Sequence, residues 1–176
     1  MGVAQHSKKS KPYVVLKEPD SDYSVIVYDM PNSENVIIIK SDAFHEPSEV
    51  FVGSNNELKR ADFIIIVHAY NQKVIICMEL KRGKASNPHI IQQLKGSLCF
   101  ITYCKKIVQE FWNSDSFLED YDYRFVSIKN ISIAKRPTFL RNQDKESKAI
   151  HDRPDRMLKI SSPSHLRFKK LITGDR

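Results

Sequence analysis

Residues 60–100 read RADFIIIVHAYNQKVIICMELKRGKASNPHIIQQLKGSLCF, and the rest of the chain is interpreted outward from this stretch. It contains two apolar runs of strand length, ADFIIIV and KVIICMEL, which are separated by His68 and the residues AYNQ. Both runs are too short for independent helices and are rich in β-branched residues, which favours strands. Because the link between them is so short, we expect an antiparallel hairpin.

The hairpin predicts a register. If His68 and Lys73 close the loop, paired residue numbers sum to 141 and Asp62 lies opposite Glu79. Directly opposed residues have Cβ atoms about 4.5–5.5 Å apart, and like charges placed there destabilise a sheet. A divalent cation would remove this repulsion, since Mg²⁺ is commonly held by one or two carboxylates with water and phosphate oxygens. Asp62 and Glu79 are therefore candidate metal ligands.

Alternation along the second run brings Lys81 to the same face as Glu79. That face begins with the apolar residues Ile75 and Cys77. The opposite face is wholly apolar and must be buried; it consists of Val74, Ile76, Met78 and Leu80. A carboxylate and an ammonium group therefore stand side by side where a buried strand ends.

A helix is predicted directly after the hairpin. Ser86-Asn87-Pro88 combines a capping side chain with a proline suited to the first helical turn. Apolar residues then recur at helical spacing to about Phe111; they are Ile90, Ile91, Leu94, Leu98, Ile101 and Val108. At 100° per residue, Gln93 lies on the flank of this apolar face, whereas Gln92 points to solvent. An exposed polar role for Gln93 stays open on this reasoning.

Asp62, the run Glu79-Leu80-Lys81 on the next strand and the helix carrying Gln92-Gln93 together resemble the PD-(D/E)xK nuclease core. That superfamily includes restriction enzymes, Holliday-junction resolvases and repair and defence nucleases. The resemblance covers roughly residues 57–105, and Ala61 stands where the motif has proline. It implies an α/β (α+β) fold with a restriction-endonuclease-like mixed central β-sheet flanked by helices.

The resemblance also implies the chemistry of the site. Asp62 and Glu79, with the backbone carbonyl of Leu80, would hold Mg²⁺ or Mn²⁺, which supplies Lewis acidity and lowers the pKa of a bound water. Lys81 would orient or deprotonate the attacking water, or stabilise charge in the transition state. The choice between base and electrostatic stabiliser stays open. Gln93 is the glutamine expected to reach toward the site.

Further charged residues are candidates around this core. Members of the superfamily often carry another acidic residue before the first metal aspartate, and the candidates here are Glu46, Glu49 and Glu57; a solvated surface position is the alternative for each. Positive side chains flank the motif and would grip neighbouring phosphates, or form an ordinary charged rim. They are Arg60, Arg82 and Lys84.

The charge distribution indicates a nucleic-acid partner. The chain of 176 residues has 28 basic and 21 acidic side chains, a net charge of +7. Residues 1–134 contain 16 of each sign, so the whole excess lies in residues 135–176, with 12 basic and 5 acidic. A basic segment beside a neutral core suits a polyanion, and a solubilising tail is the alternative.

Length and pattern predict one domain. Residues 1–11 are expected to be a disordered basic tail, and residues 12–176 a single nuclease-like domain with a core at about 41–134 and a basic C-terminal segment at 135–176. Short runs at 13–16, 24–28 and 36–40 predict an N-terminal antiparallel meander. Residues 41–59 are ambiguous, with a helix from HEPSEV or a strand at 49–53 as alternatives. Strands are predicted at 124–134 and 157–160 and a short basic helix at 165–172.

Several classes are disfavoured. The chain has no GxxxxGK or GxGxxG loop, and its six histidines show no metal-site spacing. Three cysteines without a CxxC pair indicate buried free thiols in a reducing compartment. No apolar run approaches the roughly 20 residues that span a bilayer, so no membrane role is expected. The expected location is cytoplasmic, or nuclear in a eukaryote.

Together these patterns predict a metal-dependent endonuclease acting on DNA, with a homodimer as the simplest way to cut two strands. The first alternative is a non-catalytic protein of the same fold that binds nucleic acid or serves an assembly. The second is an RNA-directed nuclease or toxin with the same site. Retention of Asp62, Glu79 and Lys81 favours catalysis, because a scaffold does not need opposed carboxylates.

Overall fold

The computed structural model describes residues 12–18, 23–69, 71–83, 85–130, 150–161, 163 and 165–174. These residues form an α+β fold with two mixed sheets and two α-helices. The strands are β1 (Tyr13–Lys17), β2 (Ser24–Tyr28), β3 (Val36–Lys40), β4 (Phe63–Ala69), β5 (Gln72–Leu80), β6 (Asp122–Lys129), β7 (Leu158–Ser161) and β8 (His165–Arg167); the helices are α1 (Asn87–Trp112) and α2 (Phe168–Thr173). No helix among the described residues is long and apolar enough to cross a membrane.

The predicted hairpin and its register are confirmed. β4 and β5 are antiparallel, His68 pairs with Lys73, and Phe63 pairs with Met78, so the paired numbers sum to 141. The ladder continues one pair further into the turn, to Ala69 and Gln72. Because the sum is kept to the open end of the hairpin, Asp62 and Glu79 come next to each other directly beyond the last pair.

β5 is the central strand of the larger sheet, whose order is β3-β4-β5-β6-β7. Its pairing with β4 is antiparallel, whereas its pairing with β6, and that of β6 with β7, is parallel. α1 and its apolar neighbours cover one face of this sheet. The three-stranded sheet and α2 cover the other face. β5 is therefore buried on both sides, which explains its nearly continuous apolar sequence.

The predicted N-terminal meander is wrong in its pairing. β1 and β2 form a hairpin in a separate three-stranded sheet of order β1-β2-β8, whereas β3 pairs with β4 in the larger sheet. β1 and β2 bury only alternate residues, such as Leu16 and Val25, against the larger sheet. A hairpin with one apolar face forms a second layer, because burying that face requires packing on another sheet.

Three other elements of secondary structure differ from the prediction. Residues 41–59 form neither the helix nor the strand; Ser41–Ala43 is a 3₁₀ turn, and turns follow it. The predicted helix at 165–172 is β8 followed by α2, because His165 pairs in parallel with Ile26 of β2 and tertiary pairing overrides local preference. β6 ends at Lys129, earlier than predicted, and residues 131–149 lie outside the described residues, as do 1–11.

The remaining predictions of elements hold. α1 begins after Ser86 with proline in its first turn and ends at Trp112, close to the predicted Phe111. β7 matches the strand predicted at 157–160 to within one residue. β3 and β7 lie outside the predicted core of 41–134, yet both belong to the larger sheet. The sheet that carries the site therefore takes strands from both flanks of that core.

Candidate metal centre

A row of polar side chains crosses the larger sheet on the face covered by α1. Glu79 of β5 pairs with Ser127 of β6, and Ser127 pairs with Lys159 of β7. Asp62 precedes the first residue of β4 and continues the row on the other side of Glu79. The neighbours of these residues on the same face are apolar and belong to the cluster beneath α1; they are Ile64, Cys77, Phe125 and Met157. The row therefore lies at the rim of that core.

Asp62 is held by the end of β5. Its Oδ2 atom accepts a hydrogen bond from the Leu80 N–H at 2.6 Å, and its side chain is almost fully buried. Its backbone carbonyl accepts a hydrogen bond from the Ser41 N–H at 3.0 Å. Burial raises the pKa of Asp62, and the charge of Glu79 raises it further.

Glu79 is completely buried, with 0% of its surface exposed. Its carboxylate forms an ion pair with Lys81, but neither oxygen takes part in a hydrogen bond of ordinary geometry. Burial raises the pKa of Glu79, and Lys81 opposes this rise. Lys81 thus compensates only in part for the hydration that this carboxylate has lost, so its burial destabilises the fold unless a further group binds it.

Lys81 lies at the opening of the site. Its backbone N–H donates to the Ile128 carbonyl at 2.7 Å, which fixes the chain beside β6, and its side chain is 28% exposed. Burial lowers the pKa of Lys81 and is the largest single influence, but the charge and close contact of Glu79, with the charges of Asp62 and Glu18, together outweigh it, so the net pKa is raised. The side chain is therefore an ammonium group in the metal-free protein.

Glu18 is an acidic residue at the site that sequence reasoning missed. It directly follows β1 and accepts a hydrogen bond from the Tyr23 hydroxyl at 2.6 Å. A hydrogen bond with Glu18, and its charge, also raise the pKa of Asp62. A carboxylate alone has no donor, so this hydrogen bond fits a protonated Asp62 carboxyl group, whose pKa is raised.

The acids proposed from the sequence have other surroundings. Glu46 pairs with Lys59 at 3.0 Å. Glu57 accepts hydrogen bonds from two backbone N–H groups of its own turn, and Glu49 is exposed. Glu18 was not recognisable as their alternative, because β1 belongs to the other sheet and nothing local places it beside β4.

α1 brings Gln93 to the site. The Gln93 carbonyl accepts a hydrogen bond from the Ala61 N–H at 3.0 Å, and the Ser97 hydroxyl accepts from the same N–H at 2.9 Å. Gln93 is 9% exposed and its Oε1 atom has no hydrogen-bond partner, whereas Gln92 is half-buried. Gln93 is thus buried rather than exposed, and its reach toward Asp62 and Glu79 stays a prediction, as does its role.

Gly96 sets the distance between α1 and the start of β4. A Cβ atom at this position would lie 1.8 Å from the backbone oxygen of Lys59, so any larger residue displaces the helix or the chain before β4. Because the contact is with backbone, no side-chain rotation relieves it. The close approach therefore fixes Gln93 relative to Asp62.

The unsatisfied polar atoms concentrate at this site. In the described part of the chain, buried side-chain atoms without a hydrogen-bond partner belong to just three residues, Glu79, Gln93 and Ser127. Ser127 was also missed from the sequence. Alternation in β6 places its hydroxyl on the face of Phe125, but the pairing with Glu79 is a parallel contact that no turn predicts.

The flanking basic residues differ from one another. Arg60 makes contacts within the fold. Its guanidinium donates a hydrogen bond to the Ser41 carbonyl at 2.9 Å and lies over the Phe100 ring, 5.6 Å from the ring centroid. Arg82 is exposed. Lys84 lies outside the described residues. Of the three, Arg82 is thus the described side chain that is open to a phosphate.

The metal ligands predicted from the sequence are all oxygen atoms. Within the ranges that the structure describes, no three His, Cys, Asp or Glu side chains are arranged as a group to hold a metal. The metal ligands predicted from the sequence, Asp62, Glu79 and the Leu80 carbonyl, stay a prediction. Comparison of the chain with protein-family models, curated proteins and solved structures gives no match.

Proposed function

We propose that the chain is a metal-dependent endonuclease with a restriction-endonuclease-like fold, and that it hydrolyses phosphodiester bonds in DNA. The observation that carries the proposal is the pair of opposed, buried carboxylates, Asp62 and Glu79, beside Lys81. Burial raises the pKa of both carboxyl groups, and the Lys81 ion pair offsets this rise only in part for Glu79. An arrangement with this cost is typical of a functional site.

The order of elements around the site supports the proposed fold. The two carboxylates lie at the open end of an antiparallel hairpin, α1 follows the second strand, and β6 returns in parallel beside it. These are the elements implied by the resemblance to PD-(D/E)xK nucleases.

The residues present fit a hard divalent cation. The carboxylates of Asp62 and Glu79 are oxygen ligands, which Mg²⁺ and Mn²⁺ prefer. In an extended strand the N–H and C=O of one residue point to the same side. Because the Leu80 N–H meets Asp62, the Leu80 carbonyl is directed toward the same side. A bound Mg²⁺ or Mn²⁺ would supply Lewis acidity at phosphate oxygens and a more acidic water.

The other side chains have separate roles in the proposal. Lys81, as an ammonium group beside Glu79, stabilises negative charge on the phosphate and donates to the attacking water. The unsatisfied Oε1 of Gln93 accepts a hydrogen bond from that water and orients it. Asp62, whose pKa is raised, keeps a proton in the metal-free protein and must ionise before it can bind a cation. Binding of the cation therefore releases that proton.

Cleavage of supercoiled plasmid with Mg²⁺, Mn²⁺ or EDTA tests the proposal. We expect nicking with either metal, none with EDTA, and none with Lys81→Ala. Lys73→Ala is the matched control, because Lys73 is a lysine of the same strand that pairs with Asp120 at the opposite end of β5. Thermal unfolding verifies that both variants fold. Equal cleavage by the wild type and folded Lys81→Ala, or cleavage in EDTA, would contradict the proposal.

A further inference from the structure

Two lysines extend the polar row away from the carboxylates. Lys159 of β7 pairs with Ser127, which pairs with Glu79, so Lys159 lies two strands from Glu79. At about 4.8 Å per strand, their backbones are about 10 Å apart. Lys129 lies two residues beyond Ser127 on β6 and therefore projects from the same face.

These lysines have no acidic counterpart in the parts of the chain that the structure covers. The Lys129 ammonium donates to the Ala85 carbonyl at 2.8 Å and to the Asn87 side-chain oxygen at 2.9 Å, both neutral acceptors. Lys159 is exposed. By contrast, Arg153 and Arg156 of the preceding turn pair with aspartates.

The two ammonium groups repel each other. Burial lowers the pKa of Lys129, and the charge of Lys159 lowers it further. Lys129 also lies at the N-terminal end of α1, where the helix dipole disfavours a cation. An anion bound here would relieve both conflicts, because it attracts the lysines and the first-turn N–H groups alike.

We propose that Lys129 and Lys159 bind a backbone phosphate of the same nucleic-acid strand whose neighbouring phosphodiester is held at Asp62 and Glu79. The strand then crosses the ends of β5, β6 and β7 in that order. The identity of the polymer rests on the proposed nuclease function. The site itself rests on the shared face, the strand register and the uncompensated charge.

The test is anisotropy of labelled 20-nucleotide single strands and duplexes in EDTA, so that binding is separated from cleavage. We expect Lys159→Ala to weaken binding roughly three- to tenfold and to reduce the slope of log affinity against log salt by about one. Lys169→Ala is the matched control. It removes an exposed lysine of α2, which packs on the opposite face of the sheet, and should leave both quantities unchanged.

Lys129→Gln provides a second measurement, since it removes the charge and keeps a donor for Ala85. It should weaken binding by a similar factor. Equal affinity for Lys159→Ala and Lys169→Ala, or no binding of either nucleic acid by the wild type, overturns the inference. If the wild type cleaves plasmid but Lys159→Ala binds nucleic acid as tightly as the wild type, the inference is overturned and the nuclease proposal stands. Binding that depends on Lys159 without any metal-dependent cleavage supports the inference and contradicts the nuclease proposal.

Discussion

Asp62 accepts a hydrogen bond from the Leu80 N–H at 2.6 Å, which joins the start of β4 to the end of β5 through a side chain. The same carboxylate faces Glu79, whose charge raises the pKa of Asp62. One oxygen of Asp62 thus stabilises the hairpin, whereas burial opposes ionisation of the carboxyl group to which it belongs. The two effects are separable by substitution.

Asp62→Asn should stabilise the metal-free protein by about 1–2 kcal/mol at neutral pH, because it keeps an acceptor for Leu80 and removes a carboxyl group whose ionisation burial opposes. It should also abolish stabilisation by Mg²⁺. Asp62→Ala should destabilise, because the Leu80 N–H loses its partner. Urea unfolding with and without Mg²⁺ measures both effects. The exposed Asp115→Asn serves as control, and a lower stability for Asp62→Asn in EDTA would contradict the expectation.

Gly96→Ala should destabilise by about 3 kcal/mol, since its Cβ would lie 1.8 Å from the Lys59 oxygen. Gly83→Ala is the matched control, because nothing lies within 4 Å of the position that its Cβ atom would take and its backbone is not left-handed. That variant should be neutral or more stable by up to about 1 kcal/mol. Chemical denaturation compares the two, and similar losses for both would count against the close approach of α1.

Gln93→Leu should keep or slightly raise stability, because it removes a buried oxygen that has no hydrogen-bond partner. It should lower the cleavage rate roughly tenfold or more if Gln93 orients the attacking water. Gln92→Leu, one position along the same helix, should leave the rate unchanged. Single-turnover cleavage with saturating metal gives the comparison. Equal rates for the two variants would leave Gln93 without the proposed role.

His151 predicts a dependence of stability on pH. It is buried, and its Nε2 atom lies 2.8 Å from the Leu171 carbonyl. Burial lowers the pKa of His151 below its usual value of about 6.5. As the pH falls below about 6.5, the unfolded chain binds a proton that the folded chain does not, so stability falls until the folded pKa is passed.

Unfolding of wild type and His151→Gln between pH 7.5 and 5 measures this contribution. The raised pKa values of Asp62 and Glu79 act in the opposite sense, because a folded state that keeps their protons gains stability as the pH falls. The difference between the two proteins therefore isolates His151. It should shrink toward low pH, while exposed His68→Gln follows the wild type. A constant difference would contradict the expectation.

The local sequence pattern predicts the position of a residue correctly where a turn or a helical period determines that position. The short link after Ala69 fixes the register that brings Asp62 to Glu79. The 3.6-residue period places Gln93 inward rather than Gln92. These relationships extend over few residues, so the sequence near the site contains the information that determines them.

Contacts between distant segments were not predictable in the same way. Glu18 reaches Asp62 from another sheet, and Ser127 and Lys159 join the row through parallel strands whose long connections do not fix a register. The sequence predicts Arg60 as a basic residue that is available to a phosphate, yet its guanidinium donates a hydrogen bond to the Ser41 carbonyl, directly after β3. Each case depends on a tertiary pairing that no nearby residue specifies.

β8 adds a consequence for the order of synthesis. It is the outer strand that completes the three-stranded sheet, and it pairs with β2 across most of the chain length. On the ribosome, β8 emerges after every residue of the polar row. The layer that holds Glu18 near Asp62 is therefore finished only after β8 has been translated. A nascent chain that already displays Glu79 and Lys81 still lacks the completed support of its own site.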